Sequence, residues 1–468
     1  MIEAIKNKYA VFIILMSFIL ALKVTVVNHN WAFKFKGLDN KINFCESADS
    51  PYVQKDYYSD LAKGFLNGQL SMYTKPHPKL LDLDNPYATP AGGPGCTGLI
   101  IQDASLFDDK YYLYYGPAPV LLIYIPSKLF FGFIPTDAFI ITLLSMVYIL
   151  LLTLSTLYIS TKNKVFSTVF YFGFLFNPIW IYAMNLIFTA GVARMFCVLC
   201  ILLSYALILY LRKSKNEFYT INLIGLLLTL AAITRPTFVP EYLILGAYVL
   251  FTEYKKNIKA LLTATSISIV LWLSTLSYNF YRFGDYFENG QKYILNGGDY
   301  INNGNILTIP SDFFSIVSNY IYRIYEYFFA FPSFAADGSS RLNFSTSSDI
   351  LPGAYSEGVI GYFIYNPLLL FLMIFLFIHI KKFNKDDMLI YVSMFLFLAN
   401  FFLISLLQLT ALHFVLEFIP RLMIILFLVS LSIPNINYSS FWNKKFIILL
   451  VIVSSLVSFQ TGVTWEHF

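Results

Sequence analysis

Asp56 and Asp60, in the run QKDYYSDLAKGFLNGQL, are spaced so that a helix would carry both carboxylates on one face. A carboxylate held this way can act as a general base toward a hydroxyl group. Downstream, Asp103 and the adjacent pair Asp108 and Asp109 in FDDKYYLYYGPAP add further acidic candidates. Any one of these taken singly also reads as a solvated or helix-capping residue. A second set of ionisable residues is embedded in or beside apolar runs: Arg194, Arg235, Glu241, His413, Glu417 and Arg421, with Arg282 just beyond one. Charges cost too much in such surroundings to be scattered without purpose.

Guanidinium groups stay charged when desolvated and grip phosphate oxygens two at a time, so Arg194, Arg235, Arg282 and Arg421 suit a phosphate or pyrophosphate. A ligand reaching them at that depth would need a lipid tail, and a polyprenyl phosphate has both parts. Ion pairing, for instance of Glu417 with an arginine, is the structural alternative. Tyr111, Tyr112, Tyr114 and Tyr115, together with Asp108, Asp109 and Glu417, are candidates to contact sugar rings or an acceptor. An interfacial aromatic belt would use the same tyrosines differently. The five histidines are separated, and His77 in KPHP has no partner at metal-ligand spacing. Asp108 with Asp109 could hold a hard divalent cation such as Mg or Mn, which leaves the metal requirement unknown. No cofactor is otherwise indicated, and a Gly-rich phosphate loop and a Ser/His nucleophile pattern are both missing from the sequence.

The elements that must position these groups follow from composition. The 468 residues are 57% hydrophobic, 19% aromatic and only 13% charged, whereas a soluble domain is roughly a quarter charged. Apolar runs of about 20 residues match a ~30 Å hydrocarbon core, and helices satisfy their own backbone where water is absent. The fold class is therefore an all-α polytopic membrane protein, with the lipid bilayer as partner. A net charge of +5 spread in short clusters gives no nucleic-acid reading.

Crossings are expected near 9–27, 137–159, 165–183, 185–211, 219–235, 237–252, 258–279, 358–380, 388–408, 411–433 and 445–463. With the N-terminus inside, the clusters Lys162/Lys164, Arg212/Lys213/Lys215, Lys255/Lys256/Lys259, Lys381/Lys382/Lys385 and Lys444/Lys445 all fall on the cytoplasmic side. That agreement favours about eleven transmembrane helices and an external C-terminus. The segment Ala118 to Phe131 is apolar but short and contains Pro126 and Lys128, so it is read as re-entrant or interfacial. Five regions result: an anchor helix at 1–27, a large external loop at 28–117, membrane helices at 118–280, a second external loop at 281–357 and C-terminal membrane helices at 358–468. Within the second loop, 312–331 should form a helix at the interface or capping the outer loops. Cys45 and Cys96 share the first external loop, and a bridge there would close ~50 residues and stabilise by roughly 4 kcal/mol in an oxidising compartment. Cys197 and Cys200 read as buried membrane thiols.

The order of one helix, a long external loop with an early Asp and then many helices resembles the GT-C superfamily of membrane glycosyltransferases. QKDYYSDLAKGFLNGQL is similar to the segment after their first helix, and FDDKYYLYYGPAPVLLIYIPSKLFFG to the return into the membrane. NFYRFGDYFENGQKY and LHFVLEFIPRL resemble segments of bacterial members of surface-glycan type. The resemblance implies an inverting hexosyltransferase at the outer face of a bacterial inner membrane. It would move a sugar such as glucose from undecaprenyl phosphate to a glycan acceptor such as the O-antigen of lipopolysaccharide. It carries the base to Asp56, with Asp60 second, and a role at the carrier phosphate to Arg421. Many members have an adjacent acidic pair at the first site, whereas Lys55 and Tyr57 flank Asp56 here, and His413 stands where a related segment can offer Arg. The rival readings are a transporter or flippase of lipid-linked sugars and a surface-polysaccharide polymerase or ligase.

Overall fold

The computed structural model describes residues 8–36, 56–88, 101, 103–161, 164–175, 189–212, 217–253, 256–295, 301, 313–329, 388–405 and 415–432. Short pieces at 333–334, 342–343, 355–356, 363, 366–368, 370, 373–374 and 409–410 are described as well. The expected crossing at 445–463, most of that at 358–380, and the residues Cys45, Cys96 and His413 lie outside the described residues, as does the side chain of Glu417.

The fold is mostly helical. Among the described residues, five helices are long and apolar enough to cross a membrane: Lys8–Thr25, Asp137–Ser160, Gly191–Leu211, Glu217–Thr234 and Ile258–Phe283. This is fewer than the eleven expected from the sequence. The apolar runs expected at 165–183, 237–252, 388–408 and 411–433 appear as helices Lys164–Leu175, Val239–Glu253, Met388–Ser405 and Val415–Ser432. Many large apolar side chains on these elements stay exposed, among them Phe18 and Leu15 on the first helix and Val270 and Leu273 on Ile258–Phe283. Water is a poor solvent for such faces, and lipid is a good one.

The chain divides into two compact units, and the division falls inside Asp137–Ser160. One unit holds 1–24, 145–184 and 307–468. Its helices are tied by small polar groups: the Ser17 hydroxyl lies 2.7 Å from that of Thr153 and 2.8 Å from that of Tyr171. Hydrogen bonds of this kind join helices where the surroundings supply no competing water. Helix Phe313–Ile324, which runs on into a wider turn at Tyr325–Phe329, falls inside the stretch expected to be helical at 312–331. Tyr327 and Phe328 pack there with Phe401 and Phe418.

The other unit holds 25–144 and 185–306. Its membrane part is built from α1 (Thr189–Leu211), α2 (Glu217–Thr234), α3 (Val239–Glu253) and α4 (Ile258–Phe283), with α2 packed against the other three. Arg235 is extended and Pro236–Phe238 forms a 3-10 turn, so ITRPTFVP separates two helices rather than continuing one. Its non-membrane part contributes the short helix α5 (Tyr57–Leu66) and the hairpin β1 (Ser105–Phe107) to β2 (Lys110–Tyr112), paired antiparallel with Ser105 opposite Tyr112. A wide helical turn at Val120–Tyr124 leads into Ile125–Phe131. These twelve residues would span about 18 Å as a regular helix, too little to cross the bilayer.

Candidate functional site

Asp56 immediately precedes α5, yet its side chain does not cap its own helix. Its Oδ1 accepts from the backbone N–H of Asp137 at 3.0 Å, at the start of Asp137–Ser160. Asp137 returns the interaction: Oδ2 accepts from the Tyr58 N–H at 3.0 Å and Oδ1 from the Ser59 N–H at 3.1 Å. Each carboxylate thus satisfies the orphan N–H groups of the other helix. Two helix N-termini also supply the positive dipole ends that make neighbouring carboxylates tolerable. The Tyr124 hydroxyl donates a third bond to Asp137, at 2.6 Å to Oδ1. Asp137 is only 2% exposed, whereas Asp56 is half-buried.

Tyr58 and Tyr124 close this pair from one side, their rings stacked at 6.2 Å. Burial pushes both phenols well above the usual tyrosine range, with the charge of Asp137 adding to the effect, so both remain hydrogen-bond donors. Asp137, Tyr115, Cys197 and Arg235 all lie close enough to Tyr58 to influence its ionisation.

The loop after β2 meets two arginines of this unit, Arg235 and Arg282. The Tyr58 hydroxyl donates to the Gly116 carbonyl at 3.4 Å, and the Gly116 N–H donates to the Thr234 carbonyl at 3.0 Å. A Cβ on residue 116 would sit 2.1 Å from the Ile233 carbonyl oxygen, so only glycine permits this approach. Arg235 follows directly, its guanidinium 4.8 Å over the ring of Tyr115. Tyr114 donates to the Tyr115 hydroxyl at 2.5 Å, and burial raises the Tyr114 phenol well above its ordinary range. Arg194 and Glu241 are buried in α1 and α3 of the same unit.

Arg282 is held at both of its terminal nitrogens. One terminal nitrogen donates to the Leu113 carbonyl at 2.7 Å and the other to Asn279 Oδ1 at 2.7 Å. The guanidinium lies 3.9 Å from the Tyr278 ring centre and 4.6 Å from that of Phe283. It clamps residue 113 while Arg235 covers residue 115. Arg421 belongs to the other unit, buried in Val415–Ser432.

Asp60, Asp108 and Asp109 lie away from this pair of carboxyls, Asp60 in α5 and the other two in the β-turn. Asp60 is buried, and its Oδ2 accepts from the Thr74 N–H at 3.0 Å, holding the loop after α5. Asp108 and Asp109, at φ +47° and +54°, are the two central residues of the β1–β2 turn. Positive φ at both matches the type I′ geometry of two-residue hairpins, which Asp tolerates better than most side chains. Both are exposed, and Asp108 pairs with Lys110 at 3.8 Å. Among the described residues no group of three or more His, Cys, Asp or Glu side chains gathers as a metal site. Tyr111 and Tyr112 are buried; burial pushes the Tyr111 phenol up to about 12, and Tyr112 packs edge-on against Phe283. Cys197 and Cys200 are buried thiols in α1.

Sequence reasoning passed over Asp137, Tyr58 and Tyr124. The visible signal was an Asp opening an apolar run directly after Pro135 and Thr136, which reads as an ordinary helix start. Comparison with protein-family models, curated proteins and solved structures finds no match to this chain.

Proposed function

We propose that the protein is an inverting glycosyltransferase that takes a sugar from a polyprenyl-phosphate carrier to a glycan acceptor at the outer face of a bacterial inner membrane. The observation that carries this reading is the half-buried Asp56 carboxylate, fixed beside a second carboxylate at the junction of α5 and an apolar helix long enough to span. In this reaction Asp56 takes the proton of the acceptor hydroxyl as its oxygen bonds to the anomeric carbon. The bond from that carbon to the carrier phosphate breaks on the opposite side, and the carrier phosphate leaves with the electron pair. Arg235, at the membrane end of the loop that reaches Tyr58, offers charge to the departing phosphate. Asp137 positions Asp56 by fixing the start of its helix. The cytoplasmic N-terminus, the eleven crossings, undecaprenyl phosphate as carrier and an O-antigen acceptor complete the reading, all resting on sequence pattern.

The test is transfer of radiolabelled sugar from polyprenyl-phosphate donors to bacterial surface glycan by the purified, detergent-solubilised protein. Asp56→Asn keeps an oxygen for the Asp137 N–H while removing the basicity, and transfer should fall by about 10²–10⁴-fold. A fully active variant would refute the assignment of the base. Absence of transfer with any donor, together with lipid movement across reconstituted vesicles, would make the protein a transporter instead.

A further inference from the structure

Away from the carboxylate pair, α5 supports a concave surface. After Gly68 the chain turns back along the hairpin: the Met72 N–H donates to the Tyr111 carbonyl at 2.8 Å and the Thr74 N–H to Asp60 at 3.0 Å. The Ser71 carbonyl approaches Gly64 so closely that a Cβ there would lie 2.1 Å away. Pinned at these points, the loop forms one wall of a cleft of about 630 Å³, with the β-turn and the last turn of α4 as the others. That volume lies within the range of small-ligand sites.

The lining mixes two kinds of surface. Gln69, Thr74, Lys75, Asp109 and Lys110 offer hydrogen-bond donors and acceptors of both signs, and Tyr281 contributes an aromatic ring that is 75% exposed. Flat aromatic faces beside dispersed polar groups suit a molecule with apolar C–H faces and hydroxyl edges. Charge decides against a phosphate or nucleotide: Lys75 and Lys110 are matched by Asp109 on the lining and by Asp108, which already pairs with Lys110. Asp60, which holds the wall, is one helical turn from Asp56.

We propose that this cleft binds a neutral, hydroxyl-rich saccharide chain, with one ring against Tyr281, and serves as the acceptor subsite. The acceptor role rests on the transferase reading; the binding of saccharide does not. The cleft is tested on the full chain in lipid nanodiscs by saturation-transfer NMR. The probes are neutral tetrasaccharides of glucose, galactose, mannose and rhamnose, with a galacturonate tetramer for comparison. At least one neutral probe should bind, with hydrogen-exchange protection at 69–75 and 109–112. Tyr281→Ala, and separately Gln69→Ala, both at exposed positions, should weaken that binding by about 5–10-fold, the scale of one ring contact or one hydrogen bond. Binding by no neutral probe, preference for the galacturonate, or binding as tight as wild type in both variants would overturn the proposal. Sugar release from the polyprenyl-phosphate donor into water, measured on the same wild-type sample, reads the transferase separately. Saccharide bound without donor consumption sinks the transferase reading alone, and donor consumption without saccharide binding sinks the cleft alone.

Discussion

Removing the Asp137 side chain should loosen the start of α5 before it affects anything else. Asp137→Ala deletes three acceptor contacts, from the Tyr58 N–H, the Ser59 N–H and the Tyr124 hydroxyl. At a pH where Asp137 is ionised, hydrogen bonds to its carboxylate contribute about 1.5–3 kcal/mol each, so three set a ceiling of roughly 5–9 kcal/mol. Against this stands relief of repulsion from Asp56. Its Oδ1 is 3.0 Å from the Asp137 nitrogen and the two carboxylates repel each other, taken here at a separation of about 5 Å. At an effective dielectric of about 20 that repulsion is roughly 3 kcal/mol. The net loss is then about 4 kcal/mol, equivalent to about a thousandfold in a local opening equilibrium. Asp137→Asn should lose less, because its amide oxygen can keep Ser59 and Tyr124 while the NH₂ group faces the Tyr58 N–H. Hydrogen exchange at the Tyr58 and Ser59 amides reads this directly, and the order of exchange rates should be Ala above Asn above wild type. Unchanged protection of both amides in Asp137→Ala would refute the reciprocal capping.

The β-turn offers the opposite sign. Replacing Asp108 and Asp109 together by Asn-Gly should stabilise the hairpin by about 0.5–1 kcal/mol, since that pair favours φ above zero at both positions; a fall in the unfolding midpoint would show that the aspartates contribute more than geometry. Gly116→Ala drives a Cβ into the Ile233 carbonyl and should cost about 3 kcal/mol or more, read as loss of folded, monodisperse protein; a wild-type yield and melting profile would contradict the close approach. Phe130, 80% exposed at the end of Ile125–Phe131 beside Leu129 and Phe131, should lie in the bilayer interface. Phe130→Trp should then emit at short wavelength and be quenched by brominated lipids, whereas a water-like spectrum would remove this helix from the membrane surface.

Apolar runs determined much of this protein by themselves, because backbone self-satisfaction in a low-dielectric medium leaves a 20-residue stretch little choice but helix. The helices at Asp137–Ser160, Glu217–Thr234 and Ile258–Phe283 were legible for that reason, and so was the break at Arg235–Pro236, where proline removes a donor and restricts its neighbour. The helical spacing of Asp56 and Asp60 was legible too, but their partners were not. Asp56 meets a backbone N–H 81 residues away, and Arg282 gives one of its nitrogens to a carbonyl 169 residues away. Sequence marks a guanidinium as a costly group needing acceptors; only tertiary packing decides that Leu113 and Asn279 supply them for Arg282, while Arg235 lies over Tyr115. The same holds for Asp108 and Asp109, whose types suggested a ligand pair and whose backbone made them a turn. Periodicity and composition are properties of neighbours along the chain, whereas a site is made by residues whose only relation is that folding brings them within 3 Å.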